Sequence, residues 1–91
     1  MRLAAYLNLS RHGVFYFRWP IPARLHPDRK RNHVRLSLRT RCFATAQGLS
    51  RALALTGQAA IEAAFVQGMK YADIRQHVTE HFQEKLRQFE D

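Results

Sequence analysis

Acidic residues are scarce where basic ones are plentiful, and cysteine is almost missing. Among 91 residues there is one cysteine, Cys42, which excludes an internal disulfide and a zinc site built from cysteines. No run of about 18 apolar residues occurs, so no membrane span is expected. The opening stretch, "MRLAAYLNLSRHG", has neither a signal-peptide core nor a small-residue cleavage pattern. No internal repeat or low-complexity tract is present. A chain of this length suits one domain, or one domain with an appended helix, and leaves little room for an enclosed active site. A cytosolic protein with no cofactor and no metal is expected.

What is present is an apolar fraction of 46% with six Phe, three Tyr and one Trp, enough to fold. The net charge is +8, and it is unevenly spread. Residues 1–41 carry ten Lys/Arg against one acid, Asp28, whereas residues 42–91 carry five against six. A basic excess confined to one part of a fold is the footprint of a polyanion binder. A surface built only for solubility would mix the signs.

Tyr6 to Ser10 alternates with period two and reads as a strand. "SRHG" is a polar turn in which Gly13 is free to take a positive φ. Val14 to Trp19, aromatic and β-branched, is a second strand, which Pro20 and Pro22 are expected to stop. A basic loop, "IPARLHPDRKRN", follows, with one helical turn at Ala23–Leu25. His33 to Arg39 alternates again as a third strand. The alanine- and leucine-rich stretch from Ala44 to about Val66 is helical by propensity, with polar positions Gln47, Ser50, Arg51, Gln58 and Glu62 near one stripe. The rest of its surface is apolar beyond what one contact needs, so cover on two sides is expected. Gly48 and Gly57 weaken it or permit close approach of another backbone. Gly68 is a helix stop. A second helix, Tyr71 to Phe89, carries a narrow stripe of Ile74, Val78, Phe82, Leu86 and Phe89, which packs on the first helix or serves a dimer or domain contact. The order is β-β-β-α-α: an α+β fold, a three-stranded antiparallel sheet on a long helix (residues 1–67), then a C-terminal helix (68–91).

Side chains alternate along a strand, so parity decides which residues share a face. Leu7, Leu9, Phe15, Phe17, Trp19, Val34, Leu36 and Leu38 form the set expected under the helix. The opposite face then carries Tyr6, Asn8, Ser10, Tyr16, Arg18, His33, Arg35, Ser37 and Arg39, and no strand contains an acid. Arginine pairs bidentately with guanine or phosphate, asparagine with adenine, and tyrosine and serine donate to phosphate. Such a sheet can enter the DNA major groove. The competing view is an ordinary solvated face with cross-strand contacts such as Tyr16 beside Arg35.

The stretch "YLNLSRHGVFYFRWPIPARLHP", followed by "VRLSLRTRCFATAQGLSRALA", resembles the N-terminal domain of phage and mobile-element tyrosine recombinases, the integrases. The matching pieces are Tyr6-Leu7, Arg11 and Gly13, Tyr16-Phe17-Arg18, Ile21-Pro22, Ser37-Leu38-Arg39-Thr40 and Ala46. The later "YADIRQHVTEHFQEKL" is similar to the helix that leads to the core-binding domain in that family. The resemblance implies an AP2-like sheet packed on a helix, binding arm-type sites through the sheet, in a bacterial cytoplasm at the nucleoid. It implies no catalysis, because the separated Arg, His-x-x-Arg and Tyr set has no counterpart; the chain reads as a fragment of a longer integrase or a free-standing relative. Where the family often has an acid as helix N-cap, Cys42 stands here, a poor cap.

The expected partner is therefore double-stranded DNA, with Arg18, Arg35 and Arg39 in the groove, Tyr6, Asn8, Tyr16 and Ser37 supporting them, and Arg11, Lys30 and Arg31 on phosphates. Self-association or a domain contact through the C-terminal helix is the second expectation, and no membrane partner is expected. Two alternatives stay open: an interaction module whose basic face is incidental, and a single-stranded RNA binder stacking bases on Tyr6 and Tyr16. His77 and His81 stand at i, i+4 around Glu80, in the order H-x-x-E-H. Without a third ligand they read as solvated histidines on a polar helix face. Cys42 reads as a half-buried structural cysteine, with a reactive thiol beside Arg41 as the alternative, and "RKRN" as a phosphate-contacting or simply solvated loop.

Overall fold

A computed structural model describes residues 6–22, 28 and 32–89. The helical turn expected at Ala23–Leu25, and Lys30 and Arg31 of the basic loop, lie outside the described residues. Three strands, β1 (Leu7–Leu9), β2 (Phe15–Ile21) and β3 (Asn32–Ser37), precede two helices, α1 (Phe43–Gln67) and α2 (Tyr71–Gln88). The strands form one antiparallel sheet in the order β1-β2-β3. This is the expected α+β arrangement. Among the described residues no helix is long and apolar enough to cross a membrane.

The β1–β2 turn closes as its residues suggest. The Ser10 N–H donates to the Val14 carbonyl, the Val14 N–H to Ser10 Oγ, and Gly13 sits at φ 82°. Beyond Trp19 the strand runs on, contrary to the expected stop: Pro20 faces His33 and Ile21 faces Asn32. Direction along the ladder explains this. The Arg18 N–H points to β1, where it donates to the Tyr6 carbonyl, so the nitrogen of Pro20, two residues on, also points away from β3. The β2–β3 pairing therefore loses no donor at Pro20.

At its other end β3 stops before expected. Leu38 N–H still donates to the Phe15 carbonyl, but Phe15 N–H reaches past Leu38 to the Thr40 carbonyl. The extra residues bulge, and Arg39 takes a left-handed φ of 53°, with its N–H on Ser37 Oγ. Arg39 is thus outside the strand and outside its parity.

The core lies between one sheet face and the helices: Leu7, Phe15, Phe17, Trp19, Ile21 and Val34 below, Leu53, Ile61, Ile74, Val78 and Phe82 above. Two expected members fall short. Leu9, at the end of the edge strand where the helix layer does not reach, is 46% exposed, and Leu36 is half-buried at the rim. The buried stripe of α1 runs through Ala46, Ser50, Leu53, Gly57, Ala60, Ile61 and Ala64. Ser50 falls in line with it by the three-and-four spacing, so it is buried rather than on the polar side.

Gly57 admits side chains, not another backbone. A Cβ there would meet Phe82 Cζ at 2.8 Å and Trp19 Cε2 at 2.9 Å. Phe82 of α2 crosses through that gap to meet the rings of Phe17 (5.2 Å between centroids) and Trp19 (5.6 Å), both edge-on. So α2 shares the core of the sheet as well as lying on α1. Its first residue is tied down too, since Asn32 Nδ2 donates to the Tyr71 hydroxyl at 2.6 Å. The far end of the α2 stripe is less covered: Leu86 is half-buried, and Phe89, just past the helix, is exposed with the Lys85 ammonium 5.8 Å from its ring. Gly68 ends α1 in a left-handed turn at φ 67°, its N–H on the Phe65 carbonyl and that of Met69 on Ala64.

Two glycine substitutions should therefore move stability in opposite directions. Gly48 is exposed, and a Cβ added there would have nothing within 4 Å. Gly48→Ala is expected to stabilise by about 0.5–1 kcal/mol through helix propensity alone. Gly57→Ala must displace buried rings and is expected to destabilise by about 1–3 kcal/mol despite the same propensity gain. Urea denaturation of both variants checks this. Phe82→Ala is expected to cost about 3–5 kcal/mol in the same assay.

Candidate nucleic-acid interface

The register sets the open face of the sheet in rows. Asn8, Tyr16 and Ser37 stand across from one another, then Arg18 opposite Arg35, then Pro20 opposite His33. These residues have the opposite parity to the buried Leu7, Phe15, Phe17, Trp19 and Val34, so they share the uncovered face. Asn8, Arg18 and Arg35 are exposed, and Tyr16, His33 and Ser37 half-buried.

Arg18 and Arg35 are the centre of this face. Directly opposed like charges on neighbouring strands repel, at a cost of a few tenths of a kcal/mol or more, about the range of a favourable pair with its sign reversed. The two guanidinium groups turn apart. Arg35 lies back over the Tyr16 ring, 4.4 Å from its centroid, and Arg18 Nη2 approaches His33 Nδ1 at 3.4 Å. The contact of Arg35 with Tyr16 is the cross-strand pairing expected of a solvated face, and it also fixes the direction in which a guanidinium is offered. Among the described residues, no carboxylate reaches Arg18 or Arg35.

The other expected site residues are more dispersed. Tyr6 precedes β1, and its ring packs edge-on against Phe17 at 6.0 Å, half-buried beside the core instead of standing on the polar face. Arg11 is exposed in the β1–β2 turn. Ser37 uses its hydroxyl oxygen to accept the Arg39 N–H. Arg39 is exposed, but the bulge sends it to the rim of a groove lined by Leu36, Thr45, Leu49, Leu86 and Phe89, on the helix side. The structure thus brings Asn8, Tyr16, Arg18, Arg35 and Ser37 together and adds His33, which shares the alternation of Arg35 and Ser37. It does not place Tyr6 or Arg39 with them.

Two further residues differ from expectation. Cys42 is exposed at the N-cap of α1, not half-buried. It makes no side-chain cap bond of ordinary geometry, yet the Thr45 side chain, then the Thr45 N–H, favour its thiolate and hold the thiol below its usual range. The Cys42 N–H is held by Thr40 Oγ1 at 3.1 Å. His77 is half-buried with its Nε2 enclosed and unpaired, while His81 beside it is exposed; the rings meet edge-on at 4.4 Å. Among the described residues, no three His, Cys, Asp or Glu side chains gather as a metal-ligand set.

No curated protein matches the chain, and no solved structure does. Residues 6–65, spanning the three strands and all but the last residues of α1, match the family described as DUF6538, a domain of unknown function, and the chain belongs to that family.

Proposed function

We propose that the open sheet face binds double-stranded DNA in the major groove, and that the chain serves as the sequence-specific DNA-binding module of a phage-type integrase, supporting recombination without catalysing it. The observation that carries this reading is the side-by-side placement of Arg18 and Arg35 on an uncovered face with no acid on any strand. A polyanion relieves the repulsion between them. Residues on a sheet face can reach base edges in the major groove, as those of β-ribbon readers do. Arg18 and Arg35 then read base edges, Asn8 and Ser37 flank them, and Tyr16 orients Arg35. Arg11 in the turn holds phosphate, as do Lys30 and Arg31 of the basic loop, whereas Arg39, on the helix side, does not reach this duplex. The likeness to integrase N-terminal domains in "YLNLSRHG" and "VRLSLRT" supports the biological setting.

The single-stranded RNA alternative is less well supported. Tyr6 has its ring against Phe17, and one face of Tyr16 is occupied by Arg35, so neither presents a fully open stacking platform.

Fluorescence anisotropy with labelled duplex DNA tests the proposal. The logarithm of affinity is expected to fall with the logarithm of salt by about 0.9 for each phosphate neutralised. A flat salt response would remove the electrostatic basis. Arg18→Ala and Arg35→Ala are each expected to cost about 1–3 kcal/mol and to relax sequence preference, whereas Arg11→Ala weakens all duplexes alike. Unchanged binding by the Arg18→Ala, Arg35→Ala double variant, or preference for single-stranded RNA over duplex in competition, would point away from the groove-binding face.

A further inference from the structure

The outward side of α1 has a composition that its place on a monomer does not explain. Leu55 is 72% exposed and Val66 89%. On a helical projection they lie on one face with Ala44, Gly48 and Ala59, all exposed. This is the side opposite the buried stripe of Ala46, Leu53, Gly57, Ala60 and Ala64, so neither the sheet nor α2 covers it. Only two charged residues occur in the 25 residues of α1, Arg51 and Glu62, and both are exposed on this same face. They have opposite signs and stand about three helical turns apart, at nearly the same angle around the axis.

We infer that this face pairs with the same face of a second copy of the chain, the two α1 helices running antiparallel about a two-fold axis that crosses the face halfway between Arg51 and Glu62. A two-fold relation makes the interface self-complementary. Placed there, it sets Arg51 of each copy against Glu62 of the other, satisfying both charges on the face twice over. The same axis lays Val66 of each copy over the first turns of the other helix, where Gly48 and Ala44 present the least bulk. Gly48 has open space around its Cα, so a side chain can approach closely there. Leu55 and Ala59 fall at the crossing. A parallel pairing would set Arg51 against Arg51 and Glu62 against Glu62 instead. Because the paired face lies on the helix side, the polar face of the sheet is left open, and the inference does not depend on what that face binds.

Sedimentation velocity over a range of concentrations tests it, with circular dichroism to show that each variant is folded. The wild-type chain is expected to dimerise reversibly. Arg51→Glu alone and Glu62→Arg alone each place like charges together at two points and are expected to raise the dimer dissociation constant about tenfold. An equimolar mixture of the two variants restores both pairs in a heterodimer, and is expected to recover wild-type affinity. A wild-type chain that stays monomeric to millimolar concentration would overturn the proposal. So would single variants that dimerise like the wild type, or a mixture that fails to recover.

Discussion

The fold turns on the space left by a missing side chain. Because position 57 is glycine, Phe82 and Trp19 can occupy the place where a Cβ would stand, and through them α2, α1 and the sheet meet at one point. Edge-on aromatic contacts of this kind add about 0.5–1.5 kcal/mol each beyond the area they bury. Their larger effect here is topological. With α1 and α2 both drawn onto one face of the sheet, the other face has no chain segment among the described residues to cover it, and its side chains meet solvent or a partner. The chemistry of that face follows from a packing event on the opposite side.

What the uncovered face presents is then set by register. Pairing Tyr16 with Ser37 forces Arg18 opposite Arg35, because the strands run antiparallel and the register cannot slip by one residue without turning Phe15, Phe17 and Trp19 into water. The hydrophobic face thus enforces an electrostatic arrangement that the polar face alone would not adopt. Local contacts soften it: Arg35 rests on Tyr16 and Arg18 leans to His33. Neither contact neutralises charge. The stored repulsion is small, but a phosphate or a guanine edge would convert it to attraction without rearranging the backbone.

Much of this is legible in the residues. Alternation in "FYFRW" and "VRLS" identifies two strands and assigns their faces, and the alanine-rich stretch and its glycine stop delimit α1 to within a residue or so at each end. What is not legible depends on facts outside any one element. Proline stops a ladder only where its nitrogen faces a partner, and that depends on which neighbour lies on which side of β2. Parity fails at Arg39 because a left-handed residue breaks the alternation, and nothing in "SLRTR" announces a bulge. Tyr6 and Leu9 carry strand-like patterning, but Tyr6 precedes the three-residue edge strand and turns its ring to Phe17, while Leu9 ends that strand where the helix layer does not reach. Gly57 reads as a weak point of a helix; its role emerges only when the rings of two distant segments, Trp19 and Phe82, are placed beside it.

Seen by its surfaces, the domain has two open sides of opposite character. One is cationic and polar, built on strands, where each residue's direction is held by a ladder and a packed core beneath. The other is small and apolar, built on the back of α1, with one charge of each sign. Binding a polyanion needs a rigid array of donors that keeps its spacing, and a sheet anchored by Phe17 and Trp19 provides it. Meeting a second helix needs low bulk and few charges, and alanine and glycine on the far side of α1 provide that. The same helix therefore carries two stripes: that of Leu53, Gly57 and Ala60 supports the sheet beneath the guanidinium groups, while that of Leu55, Ala59 and Val66 faces outward. The apolar excess that the helix carries beyond its own core contacts is accounted for by the second stripe and not by the first.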